Sequence, residues 1–248
     1  MKQLIEKLDE LKLTTMSQQL EAVVDEAEKR SLSLSETLLR LAQMELEARQ
    51  IRSVERRFRQ SRLQHRFSLD AFDFDHHASR KKIRSRLLRL MDLDFIDEGT
   101  NLVIIGNPGV GKTFLAKIIG YRACQANHRV LFTPAMEMLN QLLASQVDHS
   151  LVRKLKIYTK PSLLLVDELG YLSLDQQTSN LFYQVISTRY AERRSTIITT
   201  NTTFSDWGNI LHDSVIATAV ADRLVENSEI FLLEGQSLRK AKKTRSAA

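Results

Sequence analysis

Residues 106–113 read GNPGVGKT, three glycines, one lysine and one hydroxyl at a spacing that could wrap a polyphosphate. Gly106, Gly109 and Gly111 would let backbone N–H groups turn inward around the anion, with Asn107, Pro108 and Val110 completing the loop. A helix beginning at Lys112 would aim its positive end at the same charge. The Lys112 ammonium would reach the β and γ phosphates and the Thr113 hydroxyl would take a Mg2+ coordination position, with Phe114 closing the nucleotide-binding set. The bland alternative is a glycine turn beside a solvated lysine.

A magnesium-bound triphosphate needs acids opposite the loop, and residues 162–168 (SLLLVDE) offer two at the end of an apolar run. That run reads as a strand covered on both faces. Where it emerges, Asp167 would hold the metal through water and Glu168 would orient and deprotonate an attacking water. The same two acids could instead be an N-cap and its solvated neighbour. Asn201, closing the run IITTN, could hold the lytic water or sense the γ phosphate, or be an ordinary turn residue. Arg223, in ADRLVE, could place its charge on a phosphoryl group held by a neighbouring subunit, or form a surface ion pair with Asp222 or Glu226.

These groups need a scaffold, and the apolar pattern supplies one. Strand-like runs at 101–106, 129–133, 162–167, 195–200 and 229–234 alternate with helical patterns reaching 126, about 159, 192, 211 and 225. Such alternation predicts an α/β fold, a parallel five-stranded sheet wrapped by helices with ligand at the carboxyl ends of the strands. Upstream, residues 1–66 hold no glycine or proline. Their helical stripes are Leu4, Ile5, Leu8 and Leu11; Met16, Leu20, Val23, Val24 and Ala27 behind a Thr15-x-x-Gln18 capping box; and Leu34, Leu38, Leu41 and Ala48 behind Ser33-x-x-Glu36. The expected organisation is a small all-helical N-terminal domain over 1–66 and a nucleotide-binding domain over 67–248, joined by the aromatic and acidic connector FSLDAFDF (67–74) and a basic helix over 80–89.

With 248 residues, 43% of them hydrophobic, the chain can bury one good core and a smaller satellite. A net charge of +6 favours a polyanionic partner. Between Arg49 and Arg66 seven arginines, Arg56, Arg57 and Arg59 among them, face one acid, Glu55. A second basic run, Arg153, Lys154, Lys156 and Lys160, precedes the third strand. Either is a solvated face or a surface laid along duplex DNA, contacting phosphates with little regard to sequence. The single Cys124 reads as a small buried apolar residue, Trp207 as packing, and none of the six histidines stands at a trusted ligand spacing. The charged start MKQLIEKLDE argues against a signal peptide, and no apolar stretch is long enough to span a bilayer, so no membrane contact and a cytoplasmic location are expected.

In this order and spacing, GNPGVGKT, SLLLVDE, IITTN and ADRLVE resemble the Walker A, Walker B, sensor I and arginine-finger elements of AAA+ ATPases. The chain is most similar to their DnaC and IstB group, which comprises helicase loaders and the ATP-binding helpers of bacterial insertion sequences. The FDF connector and SLRK, whose Arg239 stands where that group has a sensor II arginine unless it merely opens the basic tail, extend the likeness over about 67–240. The helical N-terminus looks like that of the insertion-sequence members. Too few residues follow Glu234 for a C-terminal lid domain, which matches this group and not most AAA+ modules.

The resemblance implies ATP and Mg2+ as cofactors, hydrolysis of ATP, and a homo-oligomer on duplex DNA with Arg223 as a finger in trans and a cognate transposase as partner. A helicase loader of the DnaC type is the alternative. A small-molecule kinase would need a lid and a second substrate pocket, neither visible in the pattern, and a non-hydrolysing switch could dispense with Glu168.

Overall fold

The computed structural model describes residues 1–170, 173–212 and 214–238. Contacts divide the chain into two units, Met1–Arg56 and Arg57–Ala248. The first holds α1 (Lys2–Glu10), α2 (Thr14–Arg30) and most of α3 (Leu34–Ser61), whose last turns belong to the second. Leu8, Leu20, Val23 and Leu41 make its small core. The sequence stripes are only partly covered: Leu4, Leu11, Leu34 and Leu38 stay exposed, since three helices cannot enclose every apolar position.

The two capping boxes part company. At α3 the box forms as written, with the Ser33 N–H donating to Glu36 Oε2 at 2.7 Å and the Glu36 N–H donating to Ser33 Oγ at 3.2 Å. At α2 it does not: the Thr15 and Met16 N–H groups donate to Glu45 Oε2, at 2.7 and 3.2 Å, from the facing helix. A buried carboxylate reaches more orphan donors than Gln18 could. Burial alone would raise the pKa of Glu45, but bonds from Arg49 and the two backbone N–H groups bring it down to about 2.

The second unit is a three-layer α/β fold. Its remaining elements are α4 (Ala78–Leu90), α5 (Asp94–Asp97), β1 (Asn101–Gly106), α6 (Lys112–Gln125), β2 (Val130–Pro134), α7 (Ala135–Val147), α8 (Leu151–Thr159), β3 (Leu163–Leu169), α9 (Gln176–Ala191), β4 (Ser195–Thr200), α10 (Trp207–Ile210), α11 (Ser214–Val225) and β5 (Ser228–Leu233). All strands pair in parallel, in the order β2-β3-β4-β1-β5. Alternate residues of β3 serve opposite faces: Leu163 and Leu165 join α4 and α6 in one core, Leu164 and Val166 join α7, α9 and α11 in the other. Full burial of each such side chain is worth roughly 1.5–3 kcal/mol.

One buried cation ties the far edge of this scaffold together. Arg189 of α9, 1% exposed, donates to Thr196 Oγ1 and to the carbonyls of Tyr158, Thr159, Pro161, Ser162 and Ser195. The guanidinium thereby joins the end of α8 to the starts of β3 and β4. Burial draws its pKa down to about 9, still charged at neutral pH.

Smaller expectations hold. Cys124 is buried, which pushes its thiol up to about 11, and Trp207 packs against Phe204 with ring centroids 4.7 Å apart. His77 caps α4, its Nδ1 accepting from the Ser79 N–H at 3.2 Å. No helix among the described residues is long and apolar enough to cross a membrane.

Candidate functional site

β1 ends at Gly106, so close under β5 that a Cβ there would strike the Leu233 carbonyl oxygen. From this point residues 107–111 form the loop, and Gly111 at φ +98° caps α6, a backbone angle only glycine adopts without strain. The N–H groups of the first turn of α6 therefore point at the loop's hollow, as an anion site requires. Lys112 Nζ lies across the mouth, donating to the Gly106 and Asn107 carbonyls at 2.6 and 3.0 Å. From the C-terminal segment the Leu238 N–H donates to Gly109 O at 3.0 Å.

The acidic pair stands at the carboxyl end of β3, beside the loop. Asp167, 6% exposed, accepts the Thr113 hydroxyl on Oδ1 at 2.8 Å, joining two residues on different elements. Glu168 stands at φ +60°, in the left-handed region, where β3 slips against β4: Val166 pairs with Ile198, but Leu169 pairs with Thr200. The extra residue is a bulge. Without it Glu168 would share the face of Leu164 and Val166; with it the carboxylate borders the same hollow as Lys112 and Thr113.

That hollow has a volume of about 590 Å3, ample for a nucleotide. Its phosphate end is Pro108, Gly109, Gly111, Lys112 and Thr113; Glu168, Thr200 and Asn201 close one side; His65, Phe67, Ala71, Asp73 and Phe114 line the other. Phe67 meets Phe114 edge to face at 4.6 Å, an apolar wall suited to a flat base. Among the described residues no three acids, histidines or cysteines cluster as a metal cage. A hydroxyl hydrogen-bonded to one carboxylate is instead the donor set Mg2+ takes when phosphates complete its sphere.

Of the other sequence candidates, Asn201 is exposed at the hollow's edge. Arg223 lies elsewhere, half-buried, donating to Ala219 O at 2.8 Å with its guanidinium 5.0 Å from the Tyr183 ring. The alternative ion pair is absent: Glu226 takes the Tyr190 hydroxyl. Arg239 falls outside the described residues. On α8 and its end, Arg153, Lys156 and Lys160 are exposed and Lys154 half-buried. On α3, Arg56 and Arg59 are exposed, but Arg57 is half-buried with its Nε enclosed, because Phe58 and Ser61 on the same stretch turn inward to α6.

Two residues of the site escaped the sequence reading. Thr199, fully inside β4, donates to Asp167 Oδ1 at 2.5 Å and accepts the Glu168 N–H at 3.0 Å. Arg80, 1% exposed, donates to Val110 O within the loop at 2.6 Å. Signals existed. A threonine hydroxyl in a strand buried on both faces needs a partner, and Arg80 continues backward the α4 stripe of Ile83, Leu87 and Leu90.

The chain's likenesses point to mobile DNA. Residues 6–247 match the profile described as IstB-like ATP binding protein. An insertion sequence IS5376 protein of Geobacillus stearothermophilus, described as ATP-binding, is 39% identical over 229 residues, 92% of this chain and 90% of its own length. Its counterpart in IS21 of Pseudomonas aeruginosa is 35% identical over 241 residues, 96% and 89% of the two chains. Among solved structures, the DnaC helicase loader aligns with a TM-score of 0.60 at 23% identity, covering 67% of this chain and 96% of that one. DnaA from Aquifex aeolicus bound to AMPPCP aligns at 0.59 and 18%, covering 75% and 57%. At such identities the structures speak for the fold.

Proposed function

Since the chain belongs to the family of IstB-like ATP binding proteins and has the AAA+ fold of the DnaC and DnaA domains, we propose that it is an ATP-hydrolysing, DNA-binding regulator of transposition. In this reading ATP holds subunits together on duplex DNA in the cytoplasm, the assembly presents the site to a cognate transposase, and hydrolysis releases it. The observation that carries the reading is the Thr113–Asp167 hydrogen bond, which joins the phosphate loop to the acidic strand end across one hollow.

Each residue then has a task. Gly109, Gly111 and the start of α6 offer N–H groups to the phosphates, and Lys112 turns from its own loop carbonyls to the β and γ oxygens. Thr113 and Asp167 would hold Mg2+, which neutralises charge building on the phosphate oxygens. Glu168 takes the proton of a water that attacks the γ phosphorus as the bond to the β-bridging oxygen breaks, giving ADP and phosphate. Asn201 orients that water. Arg223 acts on the site of the next subunit, which suits its place outside the lining of its own hollow and the lack, among the described residues, of a carboxylate partner.

Basic surfaces on α8 and on the helix carrying Arg56 and Arg59 contact DNA phosphates, with the helical N-terminal unit serving assembly. The DnaC-type loader reading has only the shared fold behind it. Duplex DNA affinity measured with and without ATP, in the protein and in Lys112→Ala, tests the coupling; equal affinities throughout would sink it.

A further inference from the structure

Arg80 is a cation buried on an apolar helix face. It lies on the apolar stripe of α4, stacks on the Phe72 ring at 4.5 Å and is 1% exposed. Nη1 donates to Asp73 O and Nη2 to Val110 O, each at 2.6 Å, while Nε is enclosed with no partner. No carboxylate is hydrogen-bonded to it among the described residues; the Asp73 carboxylate accepts from the Asp75 N–H instead. Burying a guanidinium on these terms is costly, and an apolar side chain would fill the stripe better. Burial lowers its pKa and the Asp73 charge opposes this; an arginine stays protonated there.

What the cation holds is one peptide plane. Because a trans peptide sets C=O and N–H on opposite sides, pinning the Val110 carbonyl to Arg80 turns the Gly111 N–H away from it. A Cβ on Gly111 would come within 2.7 Å of Nη2, so a side chain there would displace the guanidinium, besides straining a backbone at φ +98°. Arg80 also borders the hollow beside Gly111 and Lys112. We propose that Arg80 is the positioning residue of the phosphate loop, locking the Val110–Gly111 peptide so that its N–H faces the nucleotide's phosphates and backing them with a second buried positive charge. The proposal rests on the nucleotide reading above and adds to it a residue outside the loop that sets affinity for phosphate.

Arginine is specific for this task. Its planar fork reaches two carbonyls, from residues 73 and 110, while its face lies on Phe72; a lysine keeps the charge but can neither fork nor stack. The test is competition of ATP, ADP and adenosine against a fluorescent ATP analogue, on the full chain and on Arg80→Lys and Arg80→Ala. The parent protein is titrated first, and its failure to bind ATP would sink the nucleotide reading; a change confined to the variants bears on Arg80 alone. Given binding, Arg80→Lys should fold and lose roughly ten- to a hundredfold in affinity for ATP and ADP, the range for one charge-assisted hydrogen bond, while adenosine binding is unmoved. Millimolar guanidinium, but not equal sodium chloride, should restore part of the loss in Arg80→Ala. A folded Arg80→Lys with unaltered ATP affinity, an equal loss for adenosine, or a lysine variant that fails to fold would each overturn the proposal.

Discussion

Thr199 and Asp167 share the shortest hydrogen bond of the acidic strand end, the threonine hydroxyl donating at 2.5 Å to the carboxylate oxygen that also accepts Thr113. Two hydroxyls on one oxygen leave Asp167 no freedom to turn. The same Thr199 oxygen accepts the Glu168 N–H, so one side chain of β4 holds Asp167 by its carboxylate and Glu168 by its backbone.

Thr199→Val should therefore lower hydrolysis by about ten- to a hundredfold with nucleotide affinity little changed, since it loosens the Asp167 carboxylate and the Glu168 backbone without touching the loop. Losing a buried donor and leaving the Glu168 N–H unmatched should also destabilise the fold by about 1–3 kcal/mol. Thr199→Ser keeps the hydroxyl and should recover most of the rate. Steady-state kinetics beside thermal melts of the two variants check this.

Glu168 gives a second, opposed pair of effects. At φ +60° a side chain costs about 1 kcal/mol relative to glycine. Glu168→Gly should abolish turnover yet raise Tm by about 2–4 °C, whereas Glu168→Gln should abolish turnover with Tm unchanged and keep ATP-bound assemblies on DNA. A lower Tm for the glycine variant would mean the bulge is not strained.

Much of this was legible. Strand β4 spans the residues its apolar run predicts, and loop, Glu168 and Asn201 meet at one hollow, with Asp167 joined to it through Thr113, because each closes a strand or opens a helix of a parallel sheet. The misses have a common cause. Arg80, Glu45 and Arg189 each occupy the apolar stripe of a helix, where a charge reads as an interruption. Each has at least one backbone partner from another element that folding brings near: Val110 O, the Thr15 N–H and the Ser195 carbonyl. No local spacing encodes such pairs.

Glu45 makes the N-terminal unit acid-sensitive. Its folded pKa, about 2, lies below the ordinary glutamate value of 4.5, so its stabilisation is fully present above pH 4.5 and fades as pH falls toward 2. Glu45→Gln should melt below the parent at pH 7, and the gap should narrow across that window. A gap constant from pH 7 to 2 would show the α2 cap draws nothing from the charge.

If α8 lies along DNA, replacing Arg153, Lys154, Lys156 and Lys160 by glutamine should weaken binding equally for unrelated duplexes. The slope of log affinity against log salt should fall in magnitude by up to roughly 3 to 4, at about 0.9 per phosphate contact. An unchanged slope would return these residues to a solvated face and leave Arg56 and Arg59 as the DNA candidates.

Arg223 rests against Tyr183 at 5.0 Å and is not among the residues lining its own hollow; under the proposed role in trans, the subunit alone would bind ATP and lack one group for hydrolysis. Arg223→Ala should bind ATP normally and hydrolyse it poorly. Glu168→Gln should do the same for a different reason, since it keeps the arginine and lacks the base. Mixing the two inactive variants separates action within a subunit from action between subunits. A finger in trans lets the arginine of Glu168→Gln serve the intact acid of an Arg223→Ala neighbour, and random assembly would return about a quarter of the parent rate. A finger in cis would return nothing. Tyr183→Leu, which removes the ring under the guanidinium, should reduce the rate while ATP affinity holds; if Tyr183→Leu turns over like the parent, the stacking does not hold Arg223 ready.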